Sequence, residues 1–488
     1  MYTTPQHIIA RAAGAALIAL GLAACSGFGS GGPTSGSSLG LMPQDLSVLR
    51  HSSGSGYITH VIVMVQENRS LDDFFATFPG ADGATEGKMK PPGATTTSGD
   101  QIVQLKKVPL VEECDFGHRW KGFKKDYDGG AMDGFGLEGG GKCGSKVGPL
   151  PYQYVDPNDI IPYWFIAQNY VLGDEMFQTQ GSGSFTAHQD LIRGGTTYDP
   201  AMTDSLVDYP SKEPWGCDAK PGTTTSYLQA SGKLLLYKYH LGPFPCTNQL
   251  PGYPTNTYLT LRDLLDNAGI SWKYYSPPVA GGGSGGLWNA FDMIASVRYG
   301  PEWNTNVKRN PNAIFTDLDA GTLSGVSWLI PDNVNSDHPG SARDLGPEWV
   351  ASVVNAVGQS QYWDSCAIIV VWDDWGGFYD HKKPPFFDKW GGLGFRVPML
   401  IVSPYARMSS PSKPGYISHT QYEFGSIIKF IENVFNLGSL NTTDVRAHTI
   451  GDSFNFRQLP RSFIPIPSSL DRHYFEHQKP SYEPVDSE

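Results

Sequence analysis

Two groups of polar residues stand where apolar runs end. Val61, Ile62, Val63, Met64 and Val65 lead into Gln66, Glu67, Asn68, Arg69 and Ser70, and the run Cys366 to Trp372 leads into Asp373 and Asp374. Glu67 offers hard anionic oxygens for a cation, and Asn68 an amide that donates or accepts. Adjacent carboxylates such as Asp373 and Asp374 both stay ionised only where something cationic lies between them. A divalent metal ion does this well, and Gly376 and Gly377 let the backbone approach closely. The plainer reading is a helix cap in the first case and a turn with Asp at its corners in the second. A third polar segment, Met176 to Gln189, reads MFQTQGSGSFTAHQ, and residue type alone does not separate its hydroxyls Ser182, Ser184 and Thr186. Histidines complete the set. His188 lies near the end of that segment, His381 closes the block opened by Asp373, and His419 precedes the run from Tyr422. An imidazole can hold anionic oxygens or protonate a leaving alkoxide, although an isolated histidine is more often structural.

The elements that must position these residues follow from periodicity. Both apolar runs read as strands buried on two faces, as in parallel sheets, and the polar residues then lie at the carboxyl edge where open α/β sheets bind ligands. Gly325–Pro331 and Val397–Ser403 read as further strands, and Ser271–Tyr275 as another. Helices are expected over 162–171, 260–268 (closed by Gly269), 347–359 and 422–435. Strands alternating with helices point to a mostly parallel sheet between two helical layers. The stretch from Gly83 to Gly148 is Gly-rich and reads as a functional loop or insertion. Neither GGGSGG (Gly281–Gly286) nor GSGSF carries the residues of a phosphate-binding loop, and no HExxH occurs.

Composition sets the frame. With 488 residues, 40% of them hydrophobic, the chain has ample material for a large core. Net charge is −12 without a Lys/Arg block, which argues against a nucleic-acid partner. His7 and Arg11 precede an apolar stretch, Ala12–Ala24, too short to span a bilayer. It ends in Leu22-Ala23-Ala24-Cys25, which resembles a bacterial lipobox with Cys25 as the lipidated residue. An ordinary secretory signal cleaved near Ala24 is the other reading, and both imply export, to the periplasm or cell surface as a lipoprotein or otherwise as a secreted protein. The expected organisation is a signal peptide with lipobox over 1–25, a Ser/Gly-rich tether over 26–56, a catalytic domain over 57–470 and a C-terminal tail over 471–488. Among the other cysteines, the neighbour pairs Cys114–Cys143 and Cys217–Cys246 are the expected disulfides, with connectivity open, and Cys366 is expected to stay a thiol.

HVIVMVQENRSLDDFF (His60–Phe75) resembles the ENRS(F)DHxFG signature of the bacterial phosphoesterase family, which includes phospholipases C and acid phosphatases. Leu71 and Asp73 depart from it. WDDWGGFYDH (Trp372–His381) resembles the family's acidic metal-binding block, with Lys382 in place of the usual Val. The Met176–Gln189 segment resembles the family's nucleophile loop, which puts the nucleophile at Ser184. Gly183 and Thr186 stand where that loop has proline, which should loosen it. His118, and His338 in SDHPG, fall where the family carries histidines. The resemblance implies an alkaline-phosphatase-like three-layer α/β/α sandwich. It implies a divalent metal held by Glu67, Asn68, Asp373 and Asp374, attack by Ser184, and His118, His338 and Asn68 on the phosphoryl group. His381, His188 and His419 are secondary candidates. The expected substrate is a phospholipid, or a small phosphomonoester if the chain is an acid phosphatase, with the membrane reached through a lipid anchor on Cys25. A surface lipoprotein that binds without turnover is the reading from a different class.

Overall fold

The computed structural model describes residues 53–93, 99–197, 204–211, 213–220, 222–229, 231–239, 246, 258–279, 284–385, 387–388 and 391–481. The signal segment with Cys25, and the tether up to residue 52, lie outside the described residues, as do 281–283 of the GGGSGG stretch and the tail from 482. The largest sheet has eight strands: β1 (His60–Gln66), β2 (Val171–Gly173), β3 (Trp272–Tyr275), β4 (Val307–Lys308), β5 (Val326–Leu329), β6 (Cys366–Trp372), β7 (Met399–Val402) and β8 (Tyr416–Ser418). Their spatial order is β4-β3-β5-β1-β6-β7-β2-β8. Only β7 runs against the others, pairing antiparallel with β6 and β2. The fused apolar runs sit at the centre: β6 is buried along its whole length, and β1 at every position after His60. A strand with water on neither face needs an apolar residue at every position, which is why these two show no alternation.

Helices cover both faces. The chief ones are α1 (Leu71–Phe75), α2 (Trp120–Tyr127), α3 (Ile161–Asn169), α4 (Ser184–Arg193), α5 (Leu261–Ala268), α6 (Ala313–Asp319), α7 (Gly346–Gly358), α8 (Phe424–Phe435) and α9 (Arg472–His477). The register shows which face each takes. Trp328 pairs across the sheet with Val63 and donates its indole N–H to the Leu191 carbonyl of α4. Trp372 pairs with Gln66, three residues further on and therefore on the other face, where it meets Tyr163 of α3 edge-on. Helices α4 and α8 pack together, as do α3 and α7. The result is a three-layer α/β/α sandwich around a mostly parallel sheet, as expected from the alternation in the sequence.

Several expected boundaries move. Val171 begins β2 rather than ending a helix. Tyr422 and Glu423 pair with Met176 and Phe177, so α8 starts at Phe424 with Glu423 as its cap. The segment 83–148 is not structureless: it holds short strands, α2 and several single helical turns. Two disulfides join Cys114 to Cys143 and Cys217 to Cys246, and Cys366 is a buried thiol. Among the described residues, no helix is long and apolar enough to cross a membrane.

Candidate active site

The register of the two central strands builds the site. β1 and β6 run parallel with His60 opposite Cys366 and Gln66 opposite Trp372, so the next residues, Glu67 and Asp373, leave the sheet side by side. The Asp373 N–H donates to the Gln66 carbonyl (2.9 Å), and the Glu67 N–H donates to the Ser336 carbonyl (2.8 Å), which draws in the loop after β5. Asn68 turns the chain with φ of 58°, a left-handed conformation that Asn tolerates better than most residues. Its N–H donates to Asp373 Oδ1 at 3.0 Å, and the Asp374 N–H donates to the same oxygen at 2.7 Å. Asp374 Oδ1 takes the Gly376 N–H (2.7 Å).

Helix α4 brings the hydroxyl. Ser184 is its first residue, and Ser184 Oγ donates to Asp374 Oδ2 at 3.3 Å. His188 lies one turn on and so shares the face of Ser184. Its Nε2 is 2.8 Å from Glu67 Oε1 and 3.9 Å from Asp373 Oδ2. Where the two prolines are missing, hydrogen bonds and packing tie the segment. Ser182 Oγ accepts the Asp208 N–H (2.8 Å) and donates to Thr186 Oγ1 (3.1 Å), Gln178 Nε2 donates to the Ser182 carbonyl, and Phe123 lies against Gly181. Hydrogen bonds replace the rings, and the Thr186 hydroxyl is one of the fasteners.

Two further histidines face Asn68. His118 and His338 place Nε2 at 3.1 and 3.3 Å from Asn68 Nδ2. Each Nδ1 lies against a backbone carbonyl, Phe116 at 2.7 Å and Pro339 at 2.6 Å, so Nδ1 carries the proton and Nε2 faces the site. His118 Nε2 is also 3.9 Å from Asp374 Oδ2. Arg69, fully buried, ties the surroundings together: it donates to the carbonyls of Asp337 (2.9 Å) and Leu110 (3.1 Å) and to Asp73 Oδ2 (3.0 Å). The Asp at 73, a departure from the family signature, is thus the partner of Arg69, and burial holds its carboxyl up at about 6.

Glu67, Ser184, Asp373 and Asp374 are fully buried, and Asn68, His118, His188 and His338 nearly so or fully. Three carboxylates are buried together here, an arrangement compatible with a bound cation. The donors fit one. Single ligand atoms of Glu67, His188 and Asp373 all lie within 4.8 Å of one another. Asp373 Oδ2 and Asn68 Oδ1 are buried and accept no hydrogen bond. A mixed carboxylate and imidazole set of this kind is compatible with a divalent metal.

Of the residues singled out in the sequence, Glu67, Asn68, His118, Ser184, His188, His338, Asp373 and Asp374 come together here. His381 and His419 do not. His381 Nδ1 bonds Asp72 Oδ2 at 2.8 Å, and the buried Arg396 guanidinium pairs with Asp380 (3.0 and 3.1 Å) and lies 3.6 Å from Asp72. Burial alone would lower the His381 pKa, but the Asp72 hydrogen bond and charge outweigh it and hold it above its ordinary value. His419 is exposed and bonds Asp174 (2.9 Å). Sequence reasoning did not single out Arg69's clamp, Tyr209 or Trp288. Tyr209 Oη is 3.3 Å from His118 Nε2, and the Trp288 ring lies over the rings of His188 and His338 at 6.3 and 5.7 Å between centroids. Arg69 had a signal in its motif, but Tyr209 and Trp288 lie in segments with no pattern that marks them.

A family model described as the phosphoesterase family matches residues 58–438. The chain belongs to that family and is a hydrolase of phosphoric esters. It is similar to phospholipase C A of Mycobacterium tuberculosis, with 25% identity covering 84% of this chain and 79% of that protein. It is also similar to non-specific phospholipase C4 of Arabidopsis thaliana (24% identity, 86% and 76%) and to the non-hemolytic phospholipase C of Burkholderia pseudomallei (24%, 88% and 63%). Among solved structures it resembles an alkaline phosphatase superfamily protein from Vibrio parahaemolyticus with a TM-score of 0.34, 10% identity and coverage of 82% and 76%.

Proposed function

We propose that this chain is a phospholipase C-type phosphodiesterase that works through a phospho-serine at Ser184. The observation that carries the reading is the Ser184 hydroxyl at the amino end of α4, 3.3 Å from Asp374 Oδ2 and on the same helical face as His188. Relatives named phospholipase C, similar along most of the chain, support the diester as substrate.

Ser184 Oγ attacks phosphorus as its proton passes to Asp374. The P–O bond to the diacylglycerol oxygen breaks, and His118 or His338, protonated on Nε2, gives that oxygen its proton. Asn68 can serve either protonation state of these rings: Nδ2 donates to a neutral Nε2, and Oδ1 would accept from a protonated one once the amide turns over. The positive end of the α4 dipole favours the anionic phosphoryl group at its first residue. A water then attacks phospho-serine, its proton goes back to the histidine, and Ser184 leaves with the proton held by Asp374. A divalent cation held by Glu67, Asp373 and His188, with Asn68 and Asp374 beside them, would supply Lewis-acid polarisation of the phosphoryl oxygens and favour the serine alkoxide.

The test compares wild type and Ser184→Ala on p-nitrophenylphosphorylcholine and p-nitrophenyl phosphate with divalent metals supplied. Loss of the nucleophile should lower diester turnover by at least about 10³-fold. Turnover of the monoester alone would replace this reading with an acid phosphatase. Turnover of neither would favour a binding lipoprotein.

A further inference from the structure

Gly183 is a departure that the backbone does not explain. Its φ of −78° and ψ of −178° suit almost any residue, proline included. What the position lacks is room. A Cβ at Gly183 would lie 2.5 Å from the Tyr209 hydroxyl and 3.0 Å from its Cζ. A side chain at 183 and the Tyr209 phenol therefore compete for one space, and this chain gives it to the phenol.

That phenol is held in place from several sides. Tyr209 follows the strand Asp204–Val207 of a separate antiparallel sheet with Thr225–Gln229 and Leu234–Tyr239. Asp208, with φ of 60°, turns the chain inward; its N–H donates to Ser182 Oγ (2.8 Å), and its Oδ1 accepts the Trp120 N–H (2.7 Å). The Arg119 guanidinium lies over the Tyr209 ring at 4.7 Å. These contacts aim the hydroxyl at His118 Nε2, 3.3 Å away, the nitrogen that also faces Asn68 Nδ2 and Asp374 Oδ2. Three carboxylates share the site, with Asp374 Oδ2 3.9 Å from the same His118 nitrogen, so an incoming phosphoryl group needs donors here. A neutral phenol supplies one without adding a charge that would compete for Asp374.

We propose that Tyr209 is a substrate-contacting residue whose hydroxyl donates a hydrogen bond to a non-bridging oxygen of the phosphoryl group at Ser184, and that glycine at 183 exists to admit it. In the resting site the hydroxyl bonds His118 Nε2, donating to it where that nitrogen is neutral. With Nε2 protonated for the leaving group, the phenol oxygen accepts from it and the hydroxyl hydrogen turns to the phosphoryl oxygen. The proposal rests on Ser184 as the phosphoryl acceptor.

The experiment measures steady-state turnover of p-nitrophenylphosphorylcholine, calorimetric binding of orthovanadate and thermal melting. It uses wild type, Tyr209→Phe, Gly183→Ala and the double variant. Tyr209→Phe keeps the ring and its Arg119 contact, so the melting temperature should hold. Turnover number and vanadate affinity should each fall about 10- to 100-fold, with KM moving much less. Gly183→Ala should impair the wild-type background and cost clearly less on the Phe background, because the hydroxyl is the nearest obstacle and the ring atoms at 3.0 and 3.2 Å need only give slightly. Wild-type turnover and vanadate affinity in Tyr209→Phe would overturn the proposal, as would additive effects of the two changes. Vanadate binding is read without turnover, so a wild type that binds vanadate but cleaves nothing would sink the catalytic reading while Tyr209 is still judged by affinity. A wild type that binds no vanadate would overturn both.

Discussion

Asn68 is the residue on which most of the site converges. Its backbone N–H holds Asp373, its amide faces His118 and His338, and it does this from a left-handed conformation. The strain is tolerable for Asn but leaves no slack, and what leans on its backbone is Gly376. A Cβ there would lie 2.3 Å from the Asn68 carbonyl oxygen, and Gly376 itself has φ of 61°. Gly376→Ala should therefore push Asn68 off both imidazoles while removing no catalytic atom. We expect turnover to fall at least about 10-fold and stability by about 1–3 kcal/mol, from the left-handed penalty and the displaced carbonyl. Steady-state kinetics beside urea unfolding checks this. Wild-type values in both would show that Asn68 does not depend on this glycine.

At the scale of elements, what the sequence made legible were features with a period or a motif. Strands β1 and β6 announced themselves as unbroken apolar runs, and the polar residues that end them landed side by side because the two strands pair in register. Helix α5 was readable from the glycine that closes it, Gly269 with φ of 67°, while the capping box of Thr260 and Asp263 is visible only in the structure. What stayed hidden depended on distant pairing. Tyr422 looks helical locally, and only its pairing with Met176 makes it a strand residue. Tyr209 reaches the site through a turn 25 residues beyond Ser184 that nothing in its own segment marks. Helix α8 gives a prediction at this scale. Glu432 lies in its last turn, accepts the Leu440 N–H (2.8 Å), and is pushed up to about 8 by burial and by the charge of Asp444. The carboxylate also opposes the negative end of the helix dipole. The folded pKa stands above the unfolded one, so between the two the folded chain binds more protons. The contribution to stability is then full below about pH 4.5 and is lost as pH rises through about 8. Glu432→Gln keeps the acceptor without the charge. It should melt higher than wild type near pH 9 and alike near pH 4, and equal melting at both would refute the raised pKa.

On the scale of the whole molecule, the chain closes on its own active-site loop. The C-terminal segment shows no chemistry in its sequence, yet α9 packs on α7 and buries Phe475 fully. Asn312 donates to the Phe475 carbonyl at 2.7 Å, and Arg472 pairs with Asp319 of α6. Beyond the helix, Gln478 Oε1 accepts from Asn335 Nδ2 (2.9 Å), and the Ser481 N–H donates to Asp332 Oδ2 (2.8 Å). Asp332–Ser336 is the stretch between β5 and His338. Its Ser336 carbonyl receives the Glu67 N–H, and the Ser336 hydroxyl accepts the His338 N–H at 3.2 Å. The tail is thus two hydrogen bonds from both Glu67 and His338, far from them in sequence but joined to the segment that sets their spacing. Gln478→Ala combined with termination after Lys479 removes these bonds, and with them the longer one from Gln478 Nε2 to Asn335 Oδ1 (3.4 Å), and leaves Phe475 in place. Losing the two shorter bonds, about 1 kcal/mol each, and the weak long one should translate into a roughly five- to thirtyfold fall in turnover through a looser His338 loop. Melting should drop only slightly, since the buried aromatic anchor remains. Turnover is measured well below the melting transition, so that unfolding cannot imitate the effect. Full activity in that variant would make the C-terminal segment a cover for α7 alone, and a parallel loss of activity and of secondary structure would make it a stability element rather than a brace for the site.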